Sequence, residues 1–136
     1  MAQRTRELVA QRAQDFCEYC RIPQHLVPFH TFHVEHIIAR QHGGTDDLDN
    51  LCLACDRCNA YKGVNLSGVD PQTGCVIDLY HPRRDSWHEH FAFRGAEILG
   101  LTPTGRVTVR VLRVNDHRRV ALRLELIAHG ELSRLR

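Results

Sequence analysis

Four cysteines fall into two Cys-x-x-Cys knuckles, Cys17/Cys20 and Cys55/Cys58. A Cys-x-x-Cys turn points both thiolates to one side, and two such turns fill the corners of a tetrahedral zinc site. With every corner taken by protein the ion has no open position, which makes it structural rather than catalytic. Cys52 lies three residues before Cys55, so Cys52/Cys55 is a competing register. Cys55/Cys58 is preferred because Leu51-Cys52-Leu53-Ala54 is an apolar run, where a free cysteine packs as a small core residue. Cys75, isolated after Gly74, is expected in the core as well. A redox protein is the weaker reading, since neither knuckle opens a thioredoxin-like strand-helix-strand pattern.

Between the knuckles lie an acidic-histidine pair followed by isoleucine (Glu35-His36-Ile37), a glycine pair (Gly43-Gly44), Asn50-Leu51, and Cys55-x-x-Cys58-Asn59-x-x-Lys62-Gly63. In order and spacing, residues 17–63 resemble the HNH endonuclease family, with its ββα-metal fold. The resemblance implies phosphodiester hydrolysis in DNA, probed by a hairpin and helix that fit the minor groove. It makes His36 the general base and Asn50 the residue that orients the base or its loop. It makes Glu35 and Asn59 the ligands of a catalytic cation. An ordinary histidine titrates near neutrality, which suits a base at cellular pH. One carboxylate and one amide oxygen suit a hard ion that keeps much of its water, so Mg²⁺ or Mn²⁺ is expected at that site and zinc only at the cysteines. The family more often has Asp where this chain has Glu35, and often Pro where it has Ala39. Adjacent residues of a regular strand face opposite sides, so Glu35 and His36 can share a site only where the strand bends or bulges, and such an irregularity is expected. His33 reads as a partly exposed strand histidine and His42 as a plain loop residue.

The net charge of +2 hides an asymmetry. Residues 1–80 carry seven Lys or Arg against ten Asp or Glu, and residues 81–136 carry eleven Arg against six acids. Lys62 is the one lysine among 18 basic residues. Arginine forks bind phosphate bidentately, so Arg83, Arg84, Arg106 and Arg110 are expected nucleic-acid contacts, with Arg113, Arg118 and Arg119 extending the basic tail. Lys62 is expected either to contact phosphate as well or to satisfy helix C-terminal carbonyls. Asp85-Ser-Trp-His-Glu-His superficially suggests a metal site, but His88 and His90 are only two apart, which is poor spacing for one helical face. Trp87 is expected as a core anchor. The second half also resembles HNH proteins with an Arg-rich tail, through Pro82 to Trp87 and Gly105 to Val109.

These groups need elements to position them. Residues 3–15 are rich in helix formers, with Leu8, Val9, Arg12 and Phe16 near helical spacing. Residues 29–38 read as a strand, 41–47 as a loop, and 48–53 as a short strand or extended turn. Residues 55–61 suit a helix stopped by Gly63, and 64–75 read as a connector. A strand over 75–80, a short helix through His90 and a hairpin turning at Gly95 follow. Residues 104–114 alternate like a strand at Val107, Val109 and Val111, but Val107, Val111 and Val114 also make a helical stripe. A helix is preferred because Asn115-Asp116 then caps a second one over 118–128, with Val120, Leu124 and Ile127 on one face.

The expectation is therefore an α+β protein. Residues 1–66 form a ββα-metal core stapled by four-cysteine zinc, and residues 67–136 form an Arg-rich extension of strands then helices. No stretch is long enough to span a bilayer, and six cysteines without an apolar leader after Met1 point to a reducing, cytoplasmic setting. The expected partner is DNA, double-stranded, with no membrane. Cutting both strands with one site per chain would favour a dimer, but nothing in the sequence demands one. The competing reading is a zinc-ribbon nucleic-acid-binding module that has lost catalysis.

Overall fold

The computed structural model describes residues 1–131; the end of the predicted extension, 132–136, lies outside the described residues. The chain is a mixed α+β protein whose described residues form three two-stranded antiparallel sheets and five helices. Helix α1 (Gln3–Ala13) packs on the hairpin of β1 (His33–His36) and β2 (Leu51–Ala54), which leads directly into α2 (Asp56–Lys62). Both β2 and its preceding turn obey the local sequence. The apolar run Leu51 to Ala54 is wholly buried, and Asp47-Leu48-Asp49-Asn50 forms a short 3₁₀ turn before it.

Helix α2 starts where the second knuckle dictates. Cys55 is its N-cap, and its sulfur accepts a hydrogen bond from the Cys58 backbone N–H at 3.4 Å. Asp56 lies in the first turn, where the helix dipole favours an acid. Gly63 ends the helix with a positive φ of 51°.

The stretch 64–75, expected as a connector, contains β3 (Ser67–Val69), paired with β4 (Val76–Asp78). Three residues with glycine in the middle are too short to show periodicity. Cys75 lies in the turn of this hairpin and is exposed, which corrects its assignment to the core. Helix α3 (Trp87–His90) and the hairpin β5 (Phe91–Arg94) and β6 (Glu97–Gly100) appear where they were expected, with Gly95 at φ 60° in the turn.

Residues 103–112 are helical, as α4 (Pro103–Leu112). Thr102 caps it through a bond from the Gly105 N–H at 3.0 Å, and Pro103 sits where its missing N–H costs nothing. Helix α5 (His117–Ala128) is capped by Asp116, which accepts from the Arg119 N–H at 2.9 Å.

The buried face of α5 is not the apolar stripe expected from Val120, Leu124 and Ile127. Arg119, Arg123 and Leu126 are buried instead, while Leu124 is 53% exposed. The spacing i, i+4, i+7 is a helical face of its own, and two guanidinium groups occupy it because the interior offers them acceptors.

The two parts of the chain share one core. Buried residues from Val9 to Leu53 and from Leu79 to Val114 form a single cluster. Trp87 anchors the second part on the first, as its indole N–H donates to the Tyr19 carbonyl at 3.0 Å and its ring packs against Phe91 and Phe93. Burying an apolar side chain of this size contributes about 1.5–3 kcal/mol, so this one residue is a substantial part of the join. The Arg21 guanidinium lies over the indole ring, 4.7 Å from its centroid. Among the described residues, no helix is long and apolar enough to cross a membrane.

Candidate metal centre and catalytic loop

Cys17, Cys20, Cys55 and Cys58 converge, their sulfur atoms lying within 4.8 Å of one another, and all four are buried. Sequence separation is overcome by α1 packing on the hairpin, which brings the first knuckle beside the start of α2. A tetrahedral ion with metal–sulfur bonds of about 2.3 Å sets its sulfurs roughly 3.8 Å apart, and Cys20 and Cys55 stand 3.6 Å apart. Four buried thiols with no apolar replacement are the donor set of a soft or borderline cation, so the cluster can hold a metal such as zinc.

The centre has a supporting shell that sequence reasoning missed. Arg119 donates to the Cys58 sulfur at 2.9 Å, to the Leu112 carbonyl at 2.6 Å and to Asp116 at 2.9 Å. Burial works against its charge, but Cys58, Cys20 and Cys55 outweigh it and hold the guanidinium pKa above its ordinary value. Arg123 donates to the carbonyls of Cys20, Ala96 and Val114. The one signal in the sequence was an Arg pair at i, i+4 on a helix whose other apolar stripe is incomplete.

The second region of interest is the end of β1 and the loop after it. Strand β1 is regular. His33, Val34, Glu35 and His36 pair in register with Ala54, Leu53, Cys52 and Leu51. The expected bend or bulge between Glu35 and His36 is absent, and the two side chains part company as a regular strand requires.

Glu35 turns inward and is 6% exposed. One carboxylate oxygen accepts from Cys52 at 3.3 Å, and the other lies 3.1 Å from the Lys62 ammonium. Burial pushes the Glu35 carboxyl pKa up, against the opposing pull of Lys62 and of hydrogen bonds from Tyr19 and Cys52. Lys62 is itself 1% exposed and also donates to the Ile37 carbonyl at 2.9 Å. This corrects its assignment to phosphate: a buried ammonium with three acceptors braces the strand from within. Asn59, one turn before Lys62 on α2, is half-buried.

His36 points the other way, toward the loop. Its Nε2 lies 2.6 Å from an Asp46 carboxylate oxygen, and Arg40 Nη2 donates to both oxygens of the same carboxylate at 2.8 Å. Asn50 holds this loop shut. Its Oδ1 accepts from the Ile38 N–H at 2.9 Å, and its Nδ2 donates to the carbonyls of Ile38 and Thr45 at 3.0 and 2.8 Å. Gly44 permits the closure, since a Cβ there would stand 1.6 Å from the Ile38 carbonyl oxygen. Asp46 was read only as part of a polar loop, because nothing local tells which of Asp46, Asp47 and Asp49 meets His36.

An open groove beside the loop is lined by Ile38, Gly44, Asn50, His81, Arg83 and Arg84. Arg84 is exposed there, whereas Arg83 is half-buried and ion-paired with Glu18, so it is not a free phosphate contact. Arg106 is likewise committed, with two nitrogens on the carboxylate of Asp70 at 2.9 Å. Arg119 is buried at the cysteines. Arg110, Arg113 and Arg118 are exposed, and Arg113 lies over the Tyr61 ring at 4.9 Å. His33 and His30 both reach Asp56, at 2.7 and 3.0 Å.

Residues 17–64 match the family model of the HNH endonuclease, and this segment contains both knuckles, the hairpin and α2. No curated protein and no solved structure matches the chain. Residues 17–64 are thus similar to the HNH endonuclease domain, and that match supports a nuclease-type function on nucleic acid.

Proposed function

We propose that this chain is a metal-dependent endonuclease that hydrolyses phosphodiester bonds in double-stranded DNA, with a ββα-metal core stapled by zinc in the four-cysteine centre. The observation that carries the reading is His36, which stands at the end of β1 beside a loop that Asn50 pins at three points, inside the segment that matches the family. Hydrolysis needs a water stripped of a proton as it attacks phosphorus, and an imidazole does this at neutral pH. Asn50 acts on the base through the backbone: it fixes Ile38 and Thr45, and with them the path of the loop around His36.

Zinc fits the cysteines by donor chemistry and by the spacing of the sulfurs. It ties the first knuckle to α2, so it fixes the helix against the hairpin on which His36 stands. Residues 1–66 are in this reading the nuclease core and residues 67–136 an extension that completes the fold and supplies exposed arginines.

Mg²⁺ or Mn²⁺ would be the second ion, with Glu35 and Asn59 as its oxygen donors, only if the Glu35 carboxylate turned out of the interior to the face that His36 occupies. When bound, such an ion neutralises charge on the phosphate and on the leaving oxygen. In the present arrangement Lys62 supplies the positive charge at Glu35, so the carboxylate accepts a metal only in exchange for that ammonium. Arg84 in the groove, with Arg110, Arg113 and Arg118 on the surface, would contact the DNA backbone without reading sequence.

The test is cleavage of supercoiled plasmid by the zinc-loaded protein in Mg²⁺, in Mn²⁺ and in EDTA, beside His36→Ala. Cleavage that needs the divalent ion and is lost in His36→Ala, with zinc content and DNA binding kept, is the expected result. Binding without cleavage by the wild-type protein would replace this reading with that of a zinc-containing nucleic-acid-binding module.

A further inference from the structure

We infer that Asp46 is a positioning residue for the base: its carboxylate holds His36 by Nε2 and leaves Nδ1 as the nitrogen that takes the proton from water. This rests on His36 being the base. The contact is short, 2.6 Å from Nε2 to the Asp46 oxygen. An ionised carboxylate only accepts hydrogen bonds, and the hydrogen bonds from His36 and Arg40 hold the Asp46 carboxyl below its ordinary pKa. The imidazole must therefore donate from Nε2, so its free lone pair is on Nδ1. A carboxylate on one ring nitrogen fixes both the tautomer and the ring orientation for chemistry at the other.

The carboxylate is itself held. Arg40 bridges both of its oxygens, and the Asn50 bond to the Thr45 carbonyl anchors the adjoining residue. Asp46 and Arg40 are both more than half exposed. Exposure matters in two ways: removing either should leave the core intact, and the pair contributes little as a surface ion bridge. The bond to His36 is then the main role left to the Asp46 carboxylate.

The experiment compares Asp46→Ala, Asp46→Asn and Arg40→Gln with the zinc-loaded wild-type protein in steady-state cleavage and in ¹⁵N-edited proton spectra of the histidine rings. For Asp46→Ala, kcat is expected to fall by about 10–100-fold, the usual loss when a group orienting a functional histidine is removed, while KM for DNA stays the same. A downfield, slowly exchanging His36 Nε2–H resonance in the wild type should vanish with it. Asp46→Asn keeps an acceptor oxygen and should restore part of both, and Arg40→Gln, which spares the carboxylate, should keep the resonance and most of kcat. Wild-type kcat in Asp46→Ala, no protected Nε2–H in the folded wild type, or equal losses in Arg40→Gln and Asp46→Ala would each overturn the assignment. If the wild type cuts no DNA, the function reading fails and Asp46 loses its role in catalysis with it, whereas cleavage without the protected Nε2–H overturns the Asp46 assignment and leaves the function reading standing.

Discussion

Arg119 tests how the second half of the chain supports the cysteine centre. Replacing it by methionine keeps the aliphatic stem and removes the guanidinium. The structure sets what is lost: a bond to the Cys58 sulfur at 2.9 Å, one to the Leu112 carbonyl at 2.6 Å and one to Asp116 at 2.9 Å, all from a group 2% exposed. A hydrogen bond involving a charged group contributes about 1.5–3 kcal/mol. Losing one partner of a buried ionic group costs about 3–5 kcal/mol, which is the better figure here because the bonds fail together. Zinc binding and folding of such a centre are one equilibrium, so the loss appears as weaker zinc binding. At about 1.4 kcal/mol per tenfold, that is roughly a hundredfold to several-thousandfold. Zinc release to a graded series of chelators, read by a chromogenic indicator alongside far-ultraviolet circular dichroism, measures it. The exposed neighbour Arg118, changed the same way, should behave as wild type. Wild-type zinc retention in Arg119→Met would refute the assignment of Arg119 to the centre.

Three further outcomes follow from the geometry. Lys62→Met leaves Glu35 charged and unpaired in the interior and should cost about 3–5 kcal/mol in urea unfolding, whereas Lys62→Met with Glu35→Gln should recover much of it; a neutral single variant would contradict the buried pair. Asp70 is held below the ordinary carboxylate range by its bonds from Arg106, so its stabilising contribution is present above the unfolded-state pKa and is lost as pH falls through the lower folded value. Asp70→Asn should therefore flatten the acid side of the Tm-against-pH curve and leave the neutral-to-alkaline side parallel to wild type. For DNA, Arg84→Gln with Arg110→Gln should reduce the salt slope of log binding constant by about 1.8, at roughly 0.9 per phosphate contact; an unchanged slope would remove these two residues from the interface.

Much of the site was legible before any fold. Cys17, Cys20, Cys55 and Cys58 announce a shared centre because two Cys-x-x-Cys turns together can fill one tetrahedral site, and they do converge. The hairpin and helix around His36 were legible because Leu51 to Ala54 is apolar throughout and Gly63 favours a helix end. What failed was the assignment of charged side chains. The sequence counts Lys62, Arg83, Arg106 and Arg119 as cations for phosphate, yet each has an acceptor inside the protein. Asn50 and Asp46 also differ: the first stood out within a motif, while the second was one acid among several in a polar loop.

Local chemistry by itself determined most of the elements and the four-cysteine donor set, because capping, apolar runs and ligand spacing are short-range properties of the chain. Only the tertiary structure decided which charges are free to act. A guanidinium or carboxylate can be buried only where acceptors or a counter-charge from distant segments surround it. Such surroundings at Arg119 and at Lys62 come largely from residues far apart in sequence, and the exposed Asp46–His36 contact is likewise one that no local rule selects.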